Sequence, residues 1–483
     1  MTEKNSDIME KIVSLSKRRG FIFPTAEKYG GLGGFWDWGP LGVELKNNIK
    51  QEWWKHFVHQ RSDVVGLDAA IITNPEVWFR SGHRKGFGDW KIECRKCNER
   101  YQLDKLNIPQ ELVHQIRLYS GGDWVDINQK DAQQFSNLVS NLQKDIQGYL
   151  NSNVQCKNCG KPDWSLPDYF DLMFETHIGP TKSKDNIAYL RPETAQNIFV
   201  NFENVQQSMR LKVPFGIAQI GKAFRNEITP GNFIFRSREF EQMELEFFID
   251  PREDKKWFDY WVEESLKWFI DLGVKKENIK KREQGKDELA HYAKATTDLE
   301  YNWPFEKGFA ELIGIANRTD YDLKAHGFSY KDDKNEFVPY VIEPSFGVER
   351  PALAFLLDAY DVVEGGRTTT TESNKEEEVV LRLDKRLAPI KVAVLPLSKK
   401  ETIAKPAKEI FNDLNKHFNC QYDEVASIGR RYRRQDEIGT PYCVTFDFDS
   451  LEDKKVTVRD RDTMEQERVA IFELTSYLRE KFQ

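Results

Sequence analysis

The stretch FRNEITPGNFIFRSREFEQMELEFF, residues 224–248, decides how the rest of the chain is read. Arg225 and Glu227 close one strand, a short loop carries Pro230 and Gly231, and Arg236, Arg238 and Phe240 open the strand that returns. Alternate residues of a strand point to the same face, so Arg225 and Glu227 face one pocket. A guanidinium placed there can grip a phosphate or a carboxylate through two parallel hydrogen bonds. The loop can reach a nucleotide, and Phe240 can stack on a purine. Arg-x-Glu alone is more often a surface ion pair; the loop and the returning Arg236-x-x-x-Phe240 make the combination specific.

Working outward, PFGIAQIGKAFRNE (214–227) and REFEQMELEFFID (238–250) are short strands in close succession, which predicts an antiparallel sheet over about 166–363. KKWFDYWVEESLKWFIDLG (255–273) is an amphipathic helix. Upstream, Leu41, Leu45, Ile49 and Trp53 recur every four residues, and the N-terminal stretch carries Ile8, Ile12, Val13 and Leu15 on or near one face; both read as helices. Val64–Asp68 and Ala70–Thr73 read as buried strand, ended by Asn74-Pro75. These segments form the first part of the core, residues 1–90. Residues 364–387 open with EGGRTTTTESNKEEE and read as a linker. Beyond them IKVAVLPL, the helix ETIAKPAKEIFNDLNKHF, CVTFDFD, KKVTVRDRD and a final helix predict a separate mixed α/β domain over 388–483.

Residues 91–165 differ in character and read as an insertion. Cys94-x-x-Cys97 and Cys156-x-x-Cys159 are two knuckles, each able to present two thiolates from one turn, and together they suit a closed tetrahedral zinc site of structural type. Four free structural thiols are the alternative. The 58 residues between the pairs hold the polar helix KDAQQFSNLVSNLQKDIQGYL. Cys420 and Cys443 stand alone, and this usage fits a reducing compartment.

A chain of 483 residues exceeds a single core and predicts two to four domains. Apolar residues at 39% and charged residues at 31% describe a globular enzyme rather than a disordered chain. With 71 Lys plus Arg against 78 Asp plus Glu the formal charge is −7, so any RNA contact must come from local basic patches. No apolar run is long enough for a transmembrane helix, and the N-terminus lacks the apolar core of a secretory signal, so a cytoplasmic location is expected.

The 224–248 stretch closely resembles motif 2 of the class II aminoacyl-tRNA synthetases. Gly347-Val348-Glu349-Arg350-Pro351, leading into the apolar helix ALAFLLDAY, resembles their motif 3, and Gly34 through Pro75 resembles motif 1. The resemblance implies an antiparallel catalytic sheet with flanking helices, ATP and Mg2+ as cofactors, and a homodimer built on motif 1. It implies catalytic roles for Arg225 and Arg350, and an ATP site of Arg225, Asn226, Glu227, Phe235, Arg236, Phe240, Glu311, Leu312, Gly347 and Arg350. Arg350 would hold the γ-phosphate of a bent ATP, and a helix N-terminus favours such anions.

Further blocks are similar to the glycyl-tRNA synthetases of the single-polypeptide, dimeric form: Trp38–Gly42, Val64–Asp68, Ser81-Gly82-His83, Arg191–Gln196, Glu239–Gln242, Glu343–Gly347 and Gly439-Thr440-Pro441. They imply glycine, ATP and tRNA(Gly) as partners. By that resemblance Glu193, Glu241 and Glu244 surround the amino group, Glu343 and Ser345 close the pocket, and Arg318 meets the substrate carboxylate or shapes the pocket. A glycine site has no side chain to grip, so it must refuse a Cβ and read the ammonium, which carboxylates suit. Many relatives carry Arg-x-Arg-Ala-Asp after the first knuckle; here Gln102 replaces the second Arg. Residues 388–483 resemble the anticodon-binding domain shared with the histidyl, prolyl and threonyl enzymes. Arg430, Arg431, Arg433 and Arg434 form a basic cluster suited to tRNA, with Tyr432 able to stack, although a solvated loop partly paired to Asp436 and Glu437 is the plainer alternative. A threonyl or prolyl enzyme, or a non-catalytic relative, are the competing identities.

Overall fold

The computed structural model describes residues 2–118, 129–306, 308–332, 336–364 and 377–482. Half of the expected linker, 365–376, lies outside them.

Seven strands form the central sheet: β1 (Val64–Gly66), β2 (Phe215–Phe224), β3 (Glu239–Ile249), β4 (Ile279–Glu283), β5 (Ala295–Trp303), β6 (Gly308–Thr319) and β7 (Tyr340–Gly347), in the order β4–β5–β6–β7–β3–β2–β1. Every pairing is antiparallel except that of β1 with β2. The alternation within β3 separates two environments. Met243, Leu245, Phe247 and Ile249 enter the main core on one face, while Gln242, Glu244 and Glu246 keep the other parity.

Helices cover the apolar face. They are α1 (Thr2–Arg19), α2 (Pro40–Trp54), α4 (Asp254–Asp271) and α5 (Glu349–Ala359); α3 (Gln129–Asn153) belongs to the insertion. Ile12 and Leu15 of α1, Leu45, Ile49 and Trp53 of α2, and Trp261, Trp268 and Phe269 of α4 are all buried in this core. Each such side chain removed from water contributes roughly 1.5–3 kcal/mol before the cost of ordering. Phe57, Trp268, Phe269 and Phe346 interlock with ring centroids 5.0–6.1 Å apart. The opposite face carries a second apolar cluster, including Ile198, Phe199, Phe202, Phe215 and Phe248, and beside it the polar half of the sheet.

Two expectations change. Ala70–Thr73 is not a buried strand of the main sheet: Ile72 and Thr73 pair with Tyr189 and Leu190 in a small three-stranded sheet, with Ile72 exposed. A short apolar run states strand and is silent about which sheet takes it. The segment assigned to the linker is also not all linker. Glu378–Leu381 pairs with Tyr360–Val363, and Leu381, Leu383 and Leu387 enter the main core. The acidic run at 376–378 hid the short apolar run Val379, Val380 and Leu381 that follows it.

In the insertion, Gly88–Glu93 lies between Arg100–Gln102 and Asp168–Asp171, all antiparallel, around a core of Trp90, Ile92, Leu103, Ile116, Ile146, Leu150 and Trp164. The C-terminal domain holds β8 (Val392–Pro396), β9 (Cys420–Tyr422), β10 (Tyr442–Phe446), β11 (Lys455–Asp460) and β12 (Gln466–Ala470), ordered β9–β8–β10–β11–β12 and parallel across the first three. Helices α6 (Glu401–Leu414), α7 (Ile428–Ile438) and α8 (Leu474–Phe482) pack on it.

Gly42 fixes how α2 sits on the core. A Cβ there would stand 1.8 Å from the Phe21 carbonyl oxygen, a backbone atom that cannot swing aside. Gly42→Ala is expected to lower stability by about 1–3 kcal/mol through overpacking, read as a reduced midpoint in chemical denaturation.

Candidate active site

The strand β2 ends at Phe224, three residues short of the expected end at Glu227, but one further backbone bond, Arg225 N–H to Arg238 O at 2.9 Å, carries the pairing on. The loop closes at a bridge between Gly231 and Arg236. Arg238 fastens it, donating to Glu227 O at 3.0 and 2.7 Å and to Gly33 O at 2.6 Å. Arg225 and Glu227 therefore emerge from a braced loop and line one cavity of about 390 Å3. Its walls also include Phe235, Arg236, Phe240, Glu311, Leu312, Ser345, Gly347 and Arg350. Nine of the ten residues expected at an ATP site meet there. The tenth, Asn226, lies next to Arg225 and bonds through its backbone N–H to Leu172 O at 2.8 Å.

Each arginine is aimed by a neighbour. Arg225 donates from Nε to Pro192 O at 3.0 Å and lies 5.4 Å from the ring centroids of both Phe87 and Phe240. Arg350, in the first turn of α5, donates to Glu311 Oε1 at 2.9 Å and rests 4.4 Å from the Phe235 ring. Both guanidinium groups retain donors for an anionic ligand.

Beyond Ser345 the cavity adjoins a buried acidic cluster. Ser345 Oγ donates to Glu244 Oε1 at 2.9 Å, and Gln242 Nε2 donates to the same oxygen at 2.7 Å. Arg318 grips Asp322 through two bonds of 2.8 and 2.9 Å and Glu343 through one of 2.9 Å, with Tyr292 centred 3.9 Å away. Glu193 faces His83 at 3.3 Å. Burial works against the charge of Glu193, but His83, Arg318 and Arg225 outweigh it and hold its pKa well below the usual carboxylate range. Burial, with Glu343 nearby, pushes Glu244 and Glu246 well above that range. Burial also raises Glu343, against the pull of Arg318.

Glu241 corrects one sequence expectation. Its side chain leaves the other face of β3 and pairs with Lys46 at 2.7 Å and Lys50 at 3.3 Å on α2. It has opposite parity to Gln242 and Glu244, so it cannot join them around a ligand. Sequence reading missed Gln242, which that same parity would have identified. It also gave no role to His83 and Asp322, whose partners are distant in sequence.

The basic cluster of the C-terminal domain is a second correction. Arg431 is buried and bonded to Pro396 O and to Asp423 O at 3.2 Å; Arg433 pairs with Glu378 and Arg434 with Asp423. Tyr432 bonds Thr445 Oγ1 at 2.6 Å. Arg431 is thus turned inward, Arg433 and Arg434 are half-buried in their ion pairs, and Arg430 is the member of the cluster left exposed. Asp436 and Glu437 bond elsewhere, to Arg459 and to Arg18 and Arg19 of α1.

The four cysteines converge as the knuckles required. Cys94 Sγ lies 3.6 Å from Cys159 Sγ, as does Cys97 from Cys156, and all four sulfurs fall within 4.8 Å of one another. A tetrahedral ion with sulfur ligands at about 2.3 Å requires sulfurs roughly 3.8 Å apart. The knuckles match in backbone too: Asn98 N–H bonds Cys94 O and Gly160 N–H bonds Cys156 O, each at 2.8 Å, with Asn98 and Gly160 both at positive φ. The donor set fits one metal ion.

An antiparallel sheet bearing a braced arginine hairpin opposite an arginine-tipped helix defines the catalytic core of a class II aminoacyl-tRNA synthetase. The model of the tRNA synthetase class II core domain (G, H, P, S and T) matches residues 174–360, and that of the anticodon binding domain matches 391–481. The chain is 51% identical over 486 residues to a glycine–tRNA ligase of Acetivibrio thermocellus, covering 98% of each, and 51% identical over 489 residues to that of Clostridium acetobutylicum, covering 99% of each. It is 52% identical over 484 residues to the glycine–tRNA ligase of Geobacillus kaustophilus, covering 98% of each. The chain belongs to the glycine–tRNA ligase family.

Arg318 is what makes the acidic cluster tolerable. Arg318→Leu would leave Asp322 and Glu343 buried without their cation and is expected to cost about 3–5 kcal/mol of stability. Unpaired buried carboxyls have folded pKa values above the unfolded ones, so the variant's deficit should shrink as pH falls and grow as pH rises through those values. Denaturation midpoints at pH 5 and pH 8 check this.

Proposed function

We propose that this chain activates glycine with ATP and transfers the glycyl group to tRNA(Gly). The observation that carries this reading is the convergence of Arg225 and Arg350 on one cavity whose wall includes Gln242 and Ser345, the two residues that bond Glu244 of the acidic cluster behind it. Phosphates suit the arginine end and an ammonium suits the carboxylate end.

The glycine carboxylate is ionised at neutral pH, so its attack on the α-phosphate needs no general base from the protein. Arg225 and Arg350 hold and neutralise the phosphates, Phe240 takes the adenine, and Arg236 adds charge at the loop. Mg2+, when bound, supplies further charge neutralisation, on the side of Glu311. Glu193 stays ionised toward the ammonium, with Glu244 and Glu343 beside it and Arg318 shaping the wall. The carboxylate oxygen bonds to phosphorus and pyrophosphate leaves. The 3′-hydroxyl of the tRNA then attacks the glycyl carbonyl, AMP leaves, and an ester forms.

We infer the same division of labour for the domains. Residues 1–90 and 166–363 carry the catalysis, 91–165 the metal module and 388–483 the anticodon contact, with Arg430 the exposed member of its basic cluster. Zinc is the metal we assign to Cys94, Cys97, Cys156 and Cys159, in a structural role, since four thiolates leave no open position. A homodimer is supported by the half-exposed Trp36 and Trp38 and the exposed Val43 around α2. No helix among the described residues is long and apolar enough to cross a membrane, and we place the enzyme in the cytoplasm.

ATP–pyrophosphate exchange across the amino acids should respond to glycine; a response to threonine or proline instead would refute the assignment. Arg225→Ala should lower the glycine-dependent rate by about 10²–10³-fold, and Glu193→Ala should raise the glycine KM with ATP binding largely kept. Normal exchange in the first, or unchanged glycine dependence in the second, removes that residue from its role. Metal analysis should find one zinc per chain, lost in Cys97→Ser together with the module's resistance to proteolysis.

A further inference from the structure

Glu246 lies one alternation beyond Glu244 on the site face of β3, entirely buried. Neither of its carboxyl oxygens has a hydrogen-bond partner among the described residues, and neither does Glu244 Oε2. The carboxyl oxygens of Glu244, Glu246 and Glu343 come within 4.8 Å of one another. Gln242 and Ser345 occupy Glu244 Oε1, so the remaining oxygen of Glu244 and both oxygens of the neighbouring Glu246 are left without a donor among the described residues. A buried acceptor left without a donor is costly, and two facing carboxylates more so. One proton resolves both defects if Glu246 carries it.

We propose that Glu246 is a positioning residue that stays protonated and donates its O–H to Glu244 Oε2, so that Glu244 remains ionised and aimed at the amino group of the substrate. This rests on the glycine-activating reading above. The groups facing Glu246 fit that role: Glu244 on its own strand, Glu343 on β7, Arg318 on β6 and Asp322 on the short helix after it. Glu193 and His83 stand further along the same cluster. Arg318 is already held by Asp322 and Glu343, which leaves Glu246 without a cation of its own. The sequence carries the same logic: in Gln242-x-Glu244-x-Glu246 the three same-face residues form a row in which an amide and an acid flank the one carboxylate that both can hold.

The test compares the full-length wild-type enzyme with E246Q, whose amide is a permanent neutral donor, and E246L, which has none. In glycine-dependent ATP–pyrophosphate exchange, E246L should raise the glycine KM by about tenfold or more with the ATP KM nearly unchanged, and E246Q should recover most of that loss. An unchanged glycine KM in E246L, an E246Q as impaired as E246L, or an ATP KM that moves in step with the glycine KM would each overturn the proposal. The infrared spectrum of the wild type should show a protonated-carboxyl C=O band that E246Q lacks; absence of that band also overturns it. The band is read without turnover, so it separates failure here from failure of the glycine assignment, which wild-type exchange decides by itself.

Discussion

Five carboxyl groups, Glu193, Glu244, Glu246, Asp322 and Glu343, meet in a space from which water is nearly excluded, and the Arg318 guanidinium, itself 2% exposed, is what allows it. Two of the five are bound to it directly, so their charge is partly offset where it is most expensive to bury. The others divide according to surroundings. Glu193 has His83, Arg318 and Arg225 and stays ionised; burial and carboxyl neighbours raise both Glu244 and Glu246, and of the two it is Glu246, with no donor on either oxygen, that takes the proton, while Glu244 keeps the two donors that hold its charge. A cluster so arranged is short of positive charge until a cation enters, which is the electrostatic state expected of a site that reads an ammonium.

That cluster depends on the pleat of β3. One strand sends Leu245 and Phe247 into the main core and Gln242 and Glu244 into the site, so the side chains that stabilise the fold and those that meet the substrate cannot slip relative to each other. The paired strands extend the same constraint: Glu244 stands opposite Ser345, and Glu343 opposite Ala316.

The sheet, the flanking helices, the arginine hairpin and the metal knuckles were legible because each rests on local spacing. Arg225 and Glu227 bracket a turn, and the cysteines repeat at CxxC. What escaped depended on direction or distance. Glu241 sits in a block of acidic residues, and its composition suggests the site, but its parity sends it to Lys46 and Lys50. Arg431, Arg433 and Arg434 read as a patch in one dimension; wound into α7 they turn inward and find Asp423 and Glu378. His83 and Asp322 were invisible because nothing local links His83 to Glu193, or Asp322 to Glu343 through Arg318. The strand at 378–381 was masked by the acidic run before it.

The inward turn of α7 also says how the domains are joined. Glu378, on the strand that pairs with Tyr360–Val363, takes Arg433, while Glu437 of α7 takes Arg18 and Arg19 of α1. Arg461 adds bonds of 2.8 Å to Leu383 O and Gly439 O. One of the arginines that a sequence reading assigns to tRNA, Arg433, thus helps to seat the C-terminal domain on the catalytic one. A comparable exchange occurs at the cavity. Gln102 stands where the sequence resemblance leads one to expect arginine, and its amide donates to Asp89 Oδ2 at 2.6 Å on the adjoining strand of the metal module. A neutral amide leaves the Asp89 charge in place, so this wall of the cavity is more acidic than an arginine would make it. The positive charge on the cavity wall then comes from Arg225, Arg236 and Arg350, all belonging to the hairpin or to α5 rather than to the insertion.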